Sequence, residues 1–442
     1  MNRLSHLYAR YFRLTFLNIL ANITVPLVGL VDIAMLGHLP DIRFMAGVAL
    51  VSILFDYLFW SFGFLRMGTT GTAAQAVGRA DRNGLFLVLY RALLLAGLIG
   101  GALLILQYPL REAGFLLLSG EAGVEDAGRA YFNARIWGAP AALLNFAFLG
   151  WYLGREESHN VLLMTAVANL ANIGLNYLFI IRLEMAAFGA GLASMLSQYL
   201  MLGTALWILF LKKPIGAWHW PEVMDRGEIR SMFRLNRDIL VRTLGLITAF
   251  ALFTNFSSLL GTAVLAANTI LLKLQTLAAY LIDGAAFASE SLAGVFRGEK
   301  NAAALRRLFR LSLITGELFA LLFLGLFLLS PATYFGIMTS HESLIELAGR
   351  FGPWLLPVLL FGAPAYMYDG LFLGLTMGKT LRNSMFFSTL LGFLPLALLA
   401  LYLRNNHLLW GAMTLFMIVR ATTLWAASRN LRPLLDRTAP GD

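Results

Sequence analysis

Asp32 is the one carboxylate in an apolar run, Leu14 to Leu36, that is long enough to cross a bilayer. An ionised Asp in such a segment costs ~2.5–3.5 kcal/mol on insertion, so residues of this kind face a bundle interior or a wet cavity. A carboxylate held there can bind and release a proton or a small cation. Asn18 lies fourteen residues earlier, within roughly 40° of Asp32 on a helical wheel, and Asn22 within about 80°. Pro26 and Gly29 fall between Asn22 and Asp32, which gives the helix a weak point at which it could hinge.

A second polar group is amide-based. Asn169, Asn172 and Asn176 recur at i, i+3 and i+7 of an apolar segment and so share one helical stripe. Amides in hydrocarbon need partners, so the stripe faces protein or water. Its two readings are helix–helix adhesion and hydrogen bonding to Asp32. A third group lies late in the chain. Asp283 and Glu290 are seven apart and share a face, Asp369 lies further on, and Lys273 is available to pair with one of them. These carboxylates form either a structural ion-pair network or a coupling and substrate site. With no cysteine and six scattered histidines, no metal-ligand set or nucleophile–base pair is evident, so neither enzyme chemistry nor a bound cofactor is expected.

The elements that must position these groups are membrane helices. Hydrophobic residues make up 59% of the 442 and charged residues 13%, more apolar sequence than one soluble core can bury. Twelve spans of roughly 20 or more residues are expected. They lie near 12–37, 44–77, 85–107, 130–153, 160–182, 187–211, 239–260, 264–295, 308–330, 353–375, 383–402 and 408–427. Alternate connecting segments carry 22 Lys and Arg against 6, which places both termini in the cytoplasm. The net charge of +10 is therefore a topology signal and not a nucleic-acid surface. Residues 1–211 are expected to form one lobe and 238–442 the other. The basic segment 212–237 joins them, with an amphipathic end lying on the inner leaflet.

An internal repeat supports that division. Gly138-Ala139-Pro140-Ala141 recurs as Gly362-Ala363-Pro364-Ala365, an offset of 224 that also matches Phe148-Leu149-Gly150 with Phe372-Leu373-Gly374 and Gly154 with Gly378. On this offset Asn145 is the counterpart of Asp369. Six spans per repeat is even, so the fold expected is all-α. It comprises twelve transmembrane helices in two six-helix lobes, parallel repeats about a pseudo-twofold axis along the membrane normal, around a central cavity.

The 6+6 layout, the first-span VDIAMLGHL and the Gln75-x-x-Gly78-x-x-Asp81 close of the second span resemble the MATE (multidrug and toxic compound extrusion) transporters. The segments Tyr280–Gly294 and Met367–Met385 are similar to the DNA-damage-inducible, DinF-like branch. The resemblance implies a monomeric antiporter of the inner membrane that exports lipophilic cationic drugs against a proton or sodium gradient. In that family's pattern the first-span Asp faces an Asn and a second acid of the fifth span and a hydroxyl of the sixth. Asn172 matches the Asn, Ser194 the hydroxyl, and Asn176 stands where the second acid is expected. One carboxylate among amides suits a proton, whereas sodium favours several anionic or carbonyl oxygens. Protonation of Asp32 and bending of the first helix near Pro26 and Gly29 would then drive release. Asp369 resembles the tenth-span Asp of sodium-coupled members, although Arg242 to Leu260 holds no acid. The alternatives are a sodium-coupled exporter, or a lipid-linked oligosaccharide flippase or organic-anion exporter of the same layout. The last two would need cavity-facing cations, and intramembrane candidates are few: Arg66, Arg91, Arg135, Arg242, Lys273 and Arg420.

Overall fold

The computed structural model describes residues 2–118, 121–211, 220–339 and 341–431. Within these ranges the side chains of 2–5, 25–30, 32, 33, 117, 122, 332 and 337 lie outside the description. Eleven helical stretches among the described residues are long and apolar enough to cross a membrane. With α1, Asn2–Gly37, they make up the twelve expected spans. In chain order these are α2 (Ile42–Gly78), α3 (Arg82–Ile105), α4 (Gly123–Gly154), α5 (Ser158–Arg182) and α6 (Ala186–Leu211). There follow α7 (Arg226–Leu260), α8 (Thr262–Gly298), α9 (Ala302–Leu329), α10 (Glu342–Gly374), α11 (Gly378–Tyr402) and α12 (Asn406–Arg429).

The chain divides into two compact units, and both boundaries fall inside helices. The N-terminal unit is Leu20–Phe233; the C-terminal unit is Met1–Ile19 with Arg234–Asp442. The first nineteen residues thus pack with the second half of the chain, not with the first-half lobe in which the sequence places them. Tyr11, Leu14, Thr15 and Asn18 form a buried stripe on α1, Asn18 Nδ2 donates to the Gly284 carbonyl of α8 over 3.4 Å, and Ile19 occupies the space a Gly284 side chain would need. The basic run Arg226–Arg237 is the first third of α7 and not a separate surface helix. Asp225 Oδ1 accepts from the Glu228 amide over 2.8 Å and so starts the helix there. Residues 212–219 lie outside the described residues.

Within the N-terminal unit, α4 lies against α2 so closely that a Cβ on Gly150 would meet the Arg66 carbonyl at 2.4 Å, and one on Gly154 the Thr70 carbonyl at 2.6 Å. The core below is aromatic. Trp151 Nε1 donates to Leu85 O over 2.9 Å, Tyr152 OH donates to Ala205 O over 2.9 Å, and Phe86, Tyr90 and Val223 pack around them. In the C-terminal unit Gly370 and Gly374 meet the Ala286 and Glu290 carbonyls in the same manner. Asn268 is the polar hub there: it donates to Ser257 Oγ and Asn406 Oδ1 and accepts from Asn406 Nδ2 and Trp410 Nε1, all within 2.9 Å.

These contacts fix the register of the repeat at 220 residues, not 224. Gly150, Gly154, Arg66 and Thr70 correspond to Gly370, Gly374, Ala286 and Glu290. The left-handed residues Ala80, Glu156 and Glu184 correspond to Lys300, Thr376 and Arg404 at the same spacing, and the helix-starting caps Asp81 and Asn301 do likewise. The 224 match is one helical turn out. Small residues four apart present the same face after a one-turn slip, so the Gly-rich motif alone does not distinguish the two registers. In the structural register Asp369 corresponds to Leu149 and not to Asn145. The two halves also differ in detail: α2 breaks at Phe62–Gly63, where its amides bond three residues back, while α8 is continuous.

Candidate functional site

In the N-terminal unit the Asn172–Asn176 end of the α5 amide stripe is buried and internally bonded. Asn176 Nδ2 donates to Asn172 Oδ1 over 2.9 Å, with both residues at most 5% exposed. One turn earlier Asn169 Nδ2 donates to Thr24 Oγ1 over 2.7 Å, and Thr24 Oγ1 donates in turn to the Ala21 carbonyl. The stripe is thereby tied to the half of α1 that carries Asp32. The helix changes winding immediately after Asn176, because Tyr177–Arg182 is a π-helical segment, a feature concentrated at functional sites. From Ser158 to Arg182 the α5 sequence contains no Asp or Glu.

The other expected members of this site are placed less directly. Asp32, Pro26 and Gly29 lie in α1, but their side chains are outside the described residues. Asn22 is half-buried on α1, and Ser194 is half-buried on α6, its carbonyl accepting from Ser197 Oγ over 2.8 Å. Asn18 is brought to the C-terminal unit. Thr24 belongs with the amide stripe although the sequence reading passed over it; its signal was being the one hydroxyl between Asn22 and Asp32.

The C-terminal unit holds a buried charge cluster. Asp369 on α10 accepts through Oδ2 from Nη2 of Arg242 on α7 and from Nη2 of Arg420 on α12. Arg420 is wholly buried, its guanidinium 5.1 Å from the centre of the Tyr366 ring. Asp283 on α8 lies close enough for its charge to act on both Arg420 and Tyr366. Glu290, also on α8, is fully buried. Lys273, expected as the counter-ion, is exposed, and the two arginines take that role instead. A guanidinium keeps its charge in such a setting, while an ammonium readily loses its proton on burial. Arg242 and Arg420 were legible as intramembrane cations; their shared partner was not.

Two further intramembrane cations, Arg91 and Arg135, are bonded within the N-terminal unit. Arg91 donates through Nε to Val223 O over 3.1 Å and through Nη2 to Glu222 O over 2.6 Å. Arg135 lies 4.6 Å from the Phe55 ring centre and bonds Tyr131 OH.

Comparison with known proteins fits this geometry. The MatE family model matches residues 18–178 and 239–398, one match in each half and in the structural register of the repeat. The chain is 34% identical over 414 residues to DNA damage-inducible protein F of Escherichia coli (strain K12), covering 93% of this chain and 90% of that one. It is 24% identical to the probable multidrug resistance protein NorM of Thermotoga maritima, over 77% of this chain and 73% of the other. A solved MOP superfamily transporter from Pyrococcus furiosus shares the fold, with a TM-score of 0.88 at 20% identity over 97% of this chain and 96% of that one.

Proposed function

This chain belongs to the MatE family of multi-pass membrane transporters, and from that premise we propose that it is a proton-coupled efflux antiporter of the inner membrane. It exports lipophilic, cationic organic compounds, works as a monomer with both termini in the cytoplasm, and uses the proton gradient with no bound cofactor. Its place in the family makes it a multidrug and toxic compound efflux transporter and not an enzyme.

The observation that carries the proton reading is the α5 stripe. Asn172 and Asn176 bond each other, Asn169 bonds Thr24, and no second carboxylate stands among them. Amides donate to an ionised Asp32 and accept from a protonated one, so the same neighbours serve both states. Neutralising Asp32 removes the cost of holding a charge among apolar helices, and the amides then change partners. Bending of α1 between Pro26 and Gly29 follows from that exchange and releases the compound outward. The π-helical turn after Asn176 gives α5 the local freedom to follow.

Efflux of an ethidium-like cation from everted vesicles, with proton and sodium gradients imposed separately, tests the proposal. A proton gradient should drive transport in the native chain. Asp32→Asn should abolish it while leaving membrane expression intact, and full residual efflux in that variant would sink the assignment.

A further inference from the structure

Among the carboxylates on spanning helices of the C-terminal unit are Asp283, Glu290 and Asp369, and by charge alone these three would read as a sodium site. The donors around Asp369 point the other way. Both Arg242 and Arg420 donate to its Oδ2. Arg420, fully buried against Tyr366, has no hydrogen-bond acceptor at Nε or Nη1 among the described residues. Asp369 Oδ2 thus already accepts from two guanidiniums, and Arg420 brings further N–H donors to the same place. Sodium needs the reverse, a shell of several oxygen acceptors with unshared lone pairs. It would also enter as a third positive charge on one buried carboxylate. Neither competitor leaves by losing a proton, because an arginine is not deprotonated inside a protein.

We infer that Arg242 and Arg420 are built-in counter-cations that close Asp369 to sodium, so that this carboxylate takes no part in ion exchange. The two guanidiniums bear on which ion the transporter uses, by occupying the Asp369 oxygen that a second coupling site would need. The inference deepens the antiporter reading above, but its readout is sodium binding and does not depend on Asp32 or on drug transport.

The test is isothermal titration of the purified full-length chain in detergent with sodium chloride, against choline chloride as control. The native chain should give no saturable sodium heat that depends on Asp369. The folded double variant Arg242→Gln/Arg420→Gln should acquire a saturable sodium response, and adding Asp369→Asn should remove it. The single variant Arg242→Gln, which keeps Arg420 on Asp369, stands in where the double variant fails to elute as a monodisperse peak. It should remain silent to sodium, since one guanidinium still holds the carboxylate. Sodium binding to the native chain that disappears in Asp369→Asn overturns the inference. So does a folded double variant that stays silent, or a single variant that binds sodium through Asp369. Loss of the proton-coupled reading would show instead as unchanged efflux in Asp32→Asn, with these sodium results unaffected.

Discussion

Asn169 on α5 donates to the Thr24 hydroxyl on α1 over 2.7 Å, eight residues from Asp32 along the same helix. That bond joins the amide stripe to the segment whose carboxylate, Asp32, is proposed for coupling. Single intramembrane hydrogen bonds contribute about 0.6 kcal/mol, rising to ~1.7 kcal/mol in favourable cases. Asn169→Leu and Thr24→Val should each slow efflux several-fold with little loss of folded protein, and the double variant should be no worse than either single one. Additive losses in a double-mutant cycle of efflux rates would show that the two residues act separately.

Gly374 and Gly154 are predicted to tolerate no side chain. A Cβ would lie 2.1 Å from the Glu290 carbonyl in one case and 2.6 Å from the Thr70 carbonyl in the other, and both obstacles are backbone. Gly374→Val and Gly154→Val should abolish the monodisperse peak in size-exclusion chromatography. Gly101→Ala, where nothing lies within 4 Å of the added atom, should elute as the native chain does.

The Asn268 hub predicts a stability loss without a transport defect in the folded fraction. Asn268→Leu leaves Trp410 Nε1 and Asn406 without their partner in the core. A buried group left unsatisfied costs about 1–3 kcal/mol, so the Tm in detergent should fall by several degrees. An unchanged Tm would show that other groups take up these bonds.

Arg91 clamps the segment before α7 to α3 through two carbonyls and, at 3.5 Å, the Glu228 carboxylate. In Arg91→Gln the Val223 plug, fully buried in the N-terminal unit, loses its tether. Trypsin should then cut at Arg226 and Arg230 faster than in the native chain. Equal cleavage rates would place the restraint in Val223 burial alone.

Glu112, in the short helix Gln107–Leu117, is held down to about 2 from an ordinary 4.5 by hydrogen bonds from Arg129 and Arg111. A carboxyl depressed in the folded state contributes stability above its unfolded value and loses that contribution as pH falls from about 4.5 towards 2. Glu112→Gln should therefore lower the Tm near neutral pH and have no effect near pH 2. Because the group is exposed, the difference should shrink as salt is added.

The sequence by itself determined the number and order of spans, because an apolar run long enough to cross a bilayer is a local property. It also isolated Asp32, the Asn169–Asn176 stripe and the second-half carboxylates, since polar residues in such runs are rare. The tertiary structure decided their partners. Asp369 chose Arg242 and Arg420, which lie 127 and 51 residues away, over Lys273, which lies on a spanning helix but is exposed. The repeat register moved by one helical turn, because small residues four apart look alike in either register until the carbonyls they touch are known. The division of α1 at Ile19 was likewise hidden. A helix is continuous in sequence whichever neighbours its two halves pack against, and only the burial of Tyr11, Thr15 and Asn18 in the C-terminal unit shows where the first half belongs.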